Sequence, residues 1–339
     1  MKKSKKTILY IGNDNSAITG YVNTMHTLST LLSTEGYKII RSSSKQNKIL
    51  RLLDMCWTTI KNRKRVDYIF IDTYSSLNFY FAFVTSQLAR LFSIKYITIL
   101  HGGDLPNRIK RSKKKSKMIF SNSYMNISPS DYLKKAFEEQ GFKVNYIPNI
   151  LELDFCEFKE RKTLRPRLLW VRAFKHLYNP VMAIEVLNLL KEHYPKASLC
   201  MIGPAKDDSF DLVKEKVKQH KLEEDVEFTG VLSKEDWHKK SEEYDIFINT
   251  TNFDNTPVSV MEIMALGLPV VSTNVGGMPF LVKHNNEGIL VEKENPSEMT
   301  KEICNILNEG AYEMTLNARA RVESFSWNVV KKQWFEILK

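Results

Sequence analysis

Residues 249–277 read NTTNFDNTPVSVMEIMALGLPVVSTNVGG and join a turn-rich loop to an apolar helix pattern and an apolar strand. The loop NFDNTP carries Asn, Asp and Pro, which are typical of turns and helix starts. The run VSVMEIMALG predicts a helix that ends at Gly267, and LPVVST predicts a strand. A helix between two apolar strands is the repeating unit of parallel sheets, so this stretch favours an α/β fold.

Two carboxylates stand in this otherwise almost uncharged stretch. Glu262 lies one and a half turns into the predicted helix among apolar neighbours, so we expect it to be nearly buried with a hydrogen-bonding partner. An internal salt bridge or a cap to a neighbouring helix would explain such an acid without any binding role. Asp254 lies eight positions earlier, in the loop, and a Gly-Gly pair closes the stretch.

The alternation of apolar strands with helix patterns extends along the whole chain. Six strands are predicted before residue 150 and six after residue 166, namely TILYIG, YKII, DYIFID, KYITIL, MNISPS, KVNYIPN, RLLWV, ASLCMIG, VEFTG, DIFINT, LPVVST and GILVE. This pattern predicts an α/β protein of two doubly wound, Rossmann-like domains that face each other across a cleft. Ligands of such sheets bind at the carboxyl ends of the strands.

The chain has 339 residues, which is long for one core and suits two domains. We predict a first domain over residues 1–151 and a second over 166–326. The segment between them, 152–165, is polar and charged and predicts a linker. The closing segment 327–339 predicts an amphipathic helix, which we expect to pack back on the first domain.

Composition bounds the class of protein and its compartment. The chain is 43% hydrophobic and 26% charged, as in soluble globular proteins, and its four cysteines form no CxxC pair, which favours free thiols in the cytoplasm. The most apolar window, 77–92, carries Gln87 and Arg90 and is shorter than the ~20 residues of a membrane span. It predicts a buried helix. The basic start MKKSKKTILYIG lacks the longer apolar region and cleavage site of a signal peptide.

Charge is unevenly distributed along the chain. Residues 1–150 contain 25 Lys and Arg against 9 Asp and Glu, whereas the remainder contains 25 against 30. A basic half of this kind suits nucleic acid, a membrane or an acidic ligand. Nucleic acid is disfavoured because no RNA-binding signature is present and aromatic and basic residues do not alternate along a strand.

We expect the basic half to bind an anionic membrane surface peripherally, at the inner face of the membrane. The segment 45–65 supports this expectation because it places apolar residues, including Trp57, beside its cations. The cations of this half cluster at Lys2–Lys6, Lys61–Arg65 and Arg108–Lys117.

The order of motifs after residue 166 resembles that of a known family. Asp254, seven intervening residues, Glu262, ALGLPVVSTNVGGMP and EGILV resemble the C-terminal nucleotide-binding motif of GT-B glycosyltransferases of family 4, the glycosyl transferases group 1. The resemblance covers most of residues 167–295, and the N-terminal half matches in the order of its elements and a few loops. It implies a retaining transferase that moves a sugar from a UDP- or GDP-linked donor to a glycan or lipid-linked acceptor, in surface polysaccharide synthesis.

The resemblance also implies how the leaving diphosphate is stabilised. No DxD metal motif occurs in the chain, so no metal or other cofactor is expected. Cations and the backbone N–H groups of helix starts would then meet the charge that develops. Arg172, at the end of the strand RLLWV, would contact the phosphates. The family's Lys lies five residues beyond this Arg, where the chain has Leu177, and Lys175 is the nearest candidate.

Other roles follow from the same resemblance. Glu262 would accept hydrogen bonds from the ribose hydroxyls. Asp254, one methylene shorter than the family's Glu, would lie beside the sugar ring near the reacting carbon. His101, which follows a buried strand in ILHGGD, would hydrogen-bond the sugar, and we assign catalytic roles to His101, Arg172 and Asp254. The remaining implied contacts are backbone amides at Val258 and Ser259, the base-binding turn at Val231 and Leu232, and the strand-end or helix-start glycines Gly203 and Gly20.

Two other classes of protein remain open at this point. The first is a non-catalytic protein that binds nucleic acid, suggested by the basic half. The second is a nucleotide-sugar epimerase of the same architecture. For Gly20, an ordinary helix-capping turn explains the residue as well as a phosphate contact does.

Overall fold

The computed structural model describes residues 6–14 and 24–339. The chain divides into two compact units, one formed by Met1–Ile150 with Trp327–Lys339 and the other by Leu151–Ser326. Each unit is built on one sheet of six parallel strands with helices packed against it. All twelve predicted strands are present, and the predicted α/β class with two doubly wound sheets is confirmed.

The sheet of the first unit has the strand order β2-β1-β3-β4-β5-β6. Its strands are β1 Thr7–Ile11, β2 Lys38–Ser42, β3 Tyr68–Thr73, β4 Lys95–Leu100, β5 Met125–Ser128 and β6 Asn145–Tyr146. Its described helices are α1 Thr24–Thr34, α2 Lys48–Asn62, α3 Asn78–Leu91, α4 Leu105–Arg111, α5 Lys113–Phe120, α6 Asp131–Glu138 and the C-terminal α14 Trp327–Ile337. Helices α4 and α5 occupy the basic segment for which no helix was predicted.

Side chains of successive strand residues point to opposite faces of this sheet. Tyr10 of β1 packs on the face covered by α1 and α14, where Trp334 lies against Phe70 with ring centroids 5.3 Å apart. Leu9, its neighbour, packs on the opposite face with residues of α2 and α3 such as Met55. Because both faces are covered, the strands read as continuous apolar runs, and this is why they could be recognised in the sequence.

The sheet of the second unit has the order β12-β11-β10-β7-β8-β9. Its strands are β7 Arg167–Val171, β8 Ser198–Ile202, β9 Val226–Gly230, β10 Ile246–Asn249, β11 Val270–Thr273 and β12 Ile289–Val291. Its helices are α7 Pro180–His193, α8 Ser209–Gln219, α9 Lys234–Ser241, α10 Val258–Leu266, α11 Met278–Leu281, α12 Pro296–Glu309 and α13 Tyr312–Glu323. The strand order reverses at β7, which pairs with β8 on one side and β10 on the other. Doubly wound sheets bind their ligands at such a reversal.

The segment 152–165 is not the linker that its composition predicted, because it packs within the second unit. Arg161 is only 6% exposed, and its guanidinium donates to the carbonyl oxygens of Lys159, Ser241, Tyr244 and Leu266. Two of these carbonyls lie at the carboxyl ends of α9 and α10, where helices leave acceptors without partners. One of the charges in this segment is therefore a buried cation that satisfies backbone carbonyls.

The apolar window 77–92 forms α3, which buries six of its side chains against the first unit. Across the part of the chain that the structure describes, every helix is too short or too polar to cross a membrane.

Candidate active site

Several loops meet at the carboxyl edge of the second sheet, where the strand order reverses. Arg172 directly follows β7, and its backbone N–H donates to Ile202 at the end of β8. Gly203 comes next after β8 and donates to Gly230 over 2.8 Å, immediately before Val231. A Cβ atom on Gly203 would lie 1.8 Å from the Arg172 carbonyl oxygen, so only glycine fits. The structure thus brings three of the predicted site loops side by side.

Arg172 forms an ion pair with Asp254, the acid of the loop after β10. Each side chain is 15% exposed. The guanidinium carbon lies 4.8 Å from the ring centroid of Tyr178, a cation–π contact that holds the side chain in place. The Nε atom of Arg172 is buried and has no hydrogen-bond partner among the described residues. Asp254 therefore engages one terminal nitrogen, Nη2, while the buried Nε–H remains as a donor for an anionic ligand.

The Gly-Gly pair explains how Asp254 is held. Gly277 donates its N–H to the carbonyl oxygen of Asp254 over 2.9 Å. A Cβ atom on Gly276 would lie 2.1 Å from that carbonyl oxygen, and one on Gly277 would lie 1.7 Å from the carbonyl oxygen of Asn255. The turn after β11 therefore touches the backbone of the acid loop directly, which requires residues without side chains at both positions.

Glu262 is 6% exposed and has the partner that its burial requires. Its Oε1 lies 2.9 Å from Nζ of Lys234, in the first turn of α9, and 3.8 Å from Nε2 of His238. The Nδ1–H of His238 donates to the Phe155 carbonyl, so Nε2 is the ring atom that faces the acid. Burial lowers the pKa of Lys234, but the charge of Glu262 and the hydrogen bond to it raise that pKa above its ordinary value. Lys234 is therefore cationic beside Glu262.

The amino terminus of α10 offers donors of the kind that bind oxyanions. The helix begins at Val258 after Pro257, and no side chain caps its first N–H groups. The hydroxyls of Thr256 and Ser259 are buried and lack hydrogen-bond partners within the described part of the chain. Helix starts carry partial positive charge, so this end of α10 suits a phosphate or sugar oxygen.

The remaining predicted residues of the second unit are exposed or backbone contacts. Lys175 is exposed and makes no ion pair among the residues described, and Leu177, at the family's usual Lys position, is 46% exposed. Val231 is 55% exposed, whereas Leu232 packs partly against the core. Beside this edge, the exposed side chains of His176, Asp207 and Asp208 lie close enough together to hold a metal ion.

In the first unit, His101 follows β4 and is 9% exposed. Its Nε2 lies 2.9 Å from Oδ1 of Asp72, which also accepts a hydrogen bond from the Tyr10 hydroxyl over 3.0 Å. Its ring stacks on Tyr74 with centroids 5.1 Å apart. Burial first, and then the charge of Asp72, raise the pKa of Tyr10 well above its ordinary value, so Tyr10 remains a donor. A neutral His101 that donates from Nε2 offers Nδ1 as an acceptor.

Three side chains of these clusters were not predicted from the sequence: Asp72, Lys234 and His238. Asp72 lies at the carboxyl end of an apolar strand, the same signal that singled out His101. Lys234 follows Ser233, which caps α9, so the pattern SKED could have placed it in the first turn of a helix. The predicted Gly20 lies outside the described residues.

Comparison with known proteins is consistent with this geometry. Residues 156–323 match the family described as glycosyl transferases group 1. The chain is 28% identical over 262 residues to the amylovoran biosynthesis glycosyltransferase AmsK of Erwinia amylovora, an alignment that covers 72% of this chain and 64% of AmsK. It is 24% identical over 264 residues to the putative colanic acid biosynthesis glycosyltransferase WcaL of Escherichia coli K12, with the same two coverages. The chain thus spans slightly less than two thirds of the length of these relatives.

Solved structures resemble the chain over almost its whole length. Sucrose-phosphate synthase from Thermosynechococcus elongatus superimposes with a TM-score of 0.81 at 16% identity and covers 98% of both chains. Anabaena HepE, solved with UDP and glucose, gives a TM-score of 0.75 at 14% identity and covers 98% of this chain and 99% of HepE. At these identities the likeness establishes the fold alone.

Two doubly wound sheets of this kind, together with these structural likenesses, define the GT-B fold. The second unit, over residues 156–323, belongs to the glycosyl transferases group 1. The predicted family and fold are therefore confirmed, and the family match favours a transferase over the nucleic-acid-binding and epimerase alternatives.

Proposed function

We propose that this glycosyltransferase is a retaining, metal-independent member of family 4. It transfers a sugar from a UDP- or GDP-linked donor to a glycan or lipid-linked acceptor in the synthesis of a surface polysaccharide. The observation that carries the proposal is Arg172, which is paired with Asp254 and keeps a buried, unpartnered Nε–H. The names of AmsK and WcaL, both of polysaccharide synthesis, and the UDP in the HepE structure support the donor and the pathway class.

The donor binds to the second unit in this proposal. Negative charge accumulates on the diphosphate as the bond to the sugar breaks, and fixed donors aimed at that charge lower the barrier. Arg172 and the uncapped amino terminus of α10, at Val258 and Ser259, supply such donors. Glu262 accepts hydrogen bonds from the ribose, with Lys234 keeping its carboxylate in place. The base lies at the turn formed by Val231 and Leu232.

The acceptor binds to the first unit, and His101 contacts the sugar there. The hydrogen bond from Nε2 to Asp72 fixes the ring and leaves Nδ1 for the ligand. Because the reaction retains configuration, we propose that the acceptor attacks from the face that the diphosphate leaves, and that a phosphate oxygen takes the acceptor proton. Asp254 positions the sugar ring beside the reacting carbon.

Two substitutions test the donor site. We expect Glu262→Gln to weaken binding of the nucleotide sugar and Arg172→Ala to lower turnover, with both proteins folded. Thermal-shift titrations with UDP, GDP, ADP and CMP identify the base, since a ligand at 100 times its Kd stabilises by about 2.7 kcal/mol. Arg167→Ala is the matched control because Arg167 lies at the opposite end of the same strand, exposed to solvent. Wild-type kinetics in Arg172→Ala or Glu262→Gln would remove that residue from the site.

Metal independence is tested with a chelator. We expect transfer to continue in excess EDTA, because the proposed site meets the diphosphate charge with Arg172 and backbone N–H groups. Loss of activity that Mg²⁺ or Mn²⁺ restores would contradict this part of the proposal. If the metal then failed to restore activity in His176→Ala, the metal would be assigned to the exposed group of His176, Asp207 and Asp208. NMR analysis of the product's anomeric configuration tests retention separately.

We propose further that the protein works in the cytoplasm, peripherally at the inner face of the membrane, where a lipid-linked acceptor is presented. The support is the charge of residues 1–150, with 25 Lys and Arg against 9 Asp and Glu. Such a surface favours anionic lipid over a neutral interface.

A further inference from the structure

The outer face of α2 in the first unit is apolar and exposed to solvent. Its Ile49, Leu50, Leu53 and Trp57 side chains are 71%, 56%, 60% and 64% exposed. Residues three or four positions apart share one face of a helix, so these four side chains form a single stripe. A contiguous exposed stripe of large apolar residues is typical of a surface that binds another protein or a membrane.

The opposite face of α2 packs against the first unit and so holds the stripe towards solvent. Arg51, Met55 and Thr59 are buried, and Met55 packs in the core beneath the sheet. The Nε of Arg51 also donates to the carbonyl oxygen of Lys45 over 2.6 Å, which ties the helix to the segment before it. The Asn47 side chain caps the first turn. The helix is therefore part of the folded unit, and its apolar stripe does not require rearrangement to be presented.

Cations surround the stripe on both ends of the helix. The segment 45–65 holds seven basic residues against one acid, Asp54, which accepts a hydrogen bond from Ser42. The exposed cations are Lys45, Lys48, Lys61, Arg63, Lys64 and Arg65. Apolar residues at the centre with Lys and Arg around them are the pattern of a helix that lies in the interface of an anionic bilayer.

The neighbouring helices extend this surface on the same side of the sheet. Helix α3 packs beside both α2 and α5. Leu91 at the end of α3 is 72% exposed, and Met118 of α5 is 40% exposed in a segment rich in lysine. The side chain of Lys115 lies over the ring of Tyr80, itself 38% exposed. Apolar and cationic groups are thus interleaved beyond α2 itself.

We propose that the α2 stripe, formed by Ile49, Leu50, Leu53 and Trp57, inserts into the interface of an anionic lipid bilayer. A second copy of the chain is a poorer occupant, because two stripes face to face would bring their surrounding cations together. The inference rests on the proposed function only in that a lipid-linked acceptor would be reached at this surface. Binding itself requires no sugar transfer.

Trp57 provides a direct probe of insertion. The other tryptophans are Trp170, Trp237 and Trp334, which are at most 7% exposed, and Trp327, which donates to Glu35. With the full chain and no nucleotide, we expect a blue shift of the emission on vesicles of phosphatidylcholine and phosphatidylglycerol in equal parts. Brominated acyl chains should quench this emission. Pure phosphatidylcholine vesicles should leave it unchanged.

Substitutions on the exposed stripe separate insertion from folding. We expect Leu50→Ser with Leu53→Ser to lower the bound fraction in vesicle sedimentation by roughly tenfold, because apolar area drives interfacial binding. Leu212→Ser is the matched control, since Leu212 is a 39% exposed leucine on α8 of the second unit. Trp57→Phe should abolish the blue shift while most of the sedimentation remains.

Several outcomes would overturn the proposal. They are equal binding to neutral and anionic vesicles, binding to neither, or unchanged binding of the double leucine variant. A blue shift that follows protein concentration without lipid would assign the stripe to a second copy instead. Thermal shift by the nucleotide is measured in the same variants, so a failure to bind vesicles with nucleotide binding intact would refute this inference and leave the proposed transfer standing.

Discussion

Gly277→Ala is the most informative single change at the acid loop. The backbone of Gly277 has φ −87° and ψ −4°, which alanine adopts without strain, so the substitution tests space alone. The new Cβ would lie 1.7 Å from the Asn255 carbonyl oxygen, and real Cβ atoms stay at least 3.0 Å away. The turn and the loop must therefore separate by about 1.3 Å.

That separation acts on Asp254. It lengthens the 2.9 Å hydrogen bond from Gly277 to the Asp254 carbonyl and moves the acid away from Arg172. Overpacking of this kind costs about 1–3 kcal/mol of the free energy of unfolding. A misplacement of roughly 1 Å costs on the order of 10²-fold in rate. We expect kcat/KM to fall by about that factor, with the melting temperature lowered by about 2–4 °C for each kcal/mol.

The assay is release of the nucleoside diphosphate from the donor that the thermal-shift titration identifies, alongside thermal unfolding by circular dichroism. Gly310→Ala is the control in the same unit. Gly310 has φ +82°, and a Cβ atom added there would meet nothing within 4 Å, so alanine adds strain without a clash. It should lose about 1–3 kcal/mol of stability and keep wild-type kcat/KM. Equal activity losses in the two variants, or wild-type kinetics in Gly277→Ala, would show that the glycine turn does not position Asp254.

The remaining predictions concern two residues found only in the structure. Asp72→Asn should lower kcat by about tenfold and alter the pH profile of kcat, because the new amide can donate to His101 and reverse its tautomer. Nucleotide binding should not change in this variant. The control is Tyr96→Phe, which removes a buried hydroxyl that donates to the carbonyl of Ile119. Arg161→Ala should reduce the free energy of unfolding in urea by on the order of 3 kcal/mol, since it leaves buried carbonyl oxygens unpaired. Unchanged kinetics in Asp72→Asn would contradict the first expectation. An unchanged urea midpoint in Arg161→Ala would contradict the second.

The fold was predictable because burial on both faces of a parallel sheet leaves a strong trace in sequence. Runs such as ILYI and YIFI, at residues 8–11 and 68–71, contain no charged residue, and each lies within a strand. The apolar pattern of the basic helices α4 and α5 is weaker in the sequence. Their lysines and arginines obscure an inner face that includes Ile109, Ile119 and Phe120, which are buried.

The candidate site was partly predictable, since residues at the ends of neighbouring parallel strands must lie at one edge. The resemblance to family 4 indicated Arg172 and Asp254, both of which follow strands, and the structure pairs them, although their roles in transfer remain predictions. Partners contributed by distant segments leave no local signal. Asp72 meets His101 across 29 positions of sequence, and Arg161 finds carbonyl acceptors 80 or more positions away, so its charge alone suggested a solvated linker.

The ion pair between Arg172 and Asp254 bears on which anions can compete for the site. The Asp254 carboxylate already engages Nη2 of the guanidinium and offsets its charge, so an incoming anion meets a cation that is partly neutralised, with Nε–H still without a partner. Inorganic phosphate has no base or ribose to contact elsewhere, so it must offset the loss of the carboxylate with charge alone. In the proposed binding mode, a nucleotide would gain contacts at Glu262 and the Val231 turn in addition. We therefore expect free phosphate to compete poorly with the nucleotide sugar, and we expect Asp254 to re-form its ion pair with Arg172 when the nucleotide leaves.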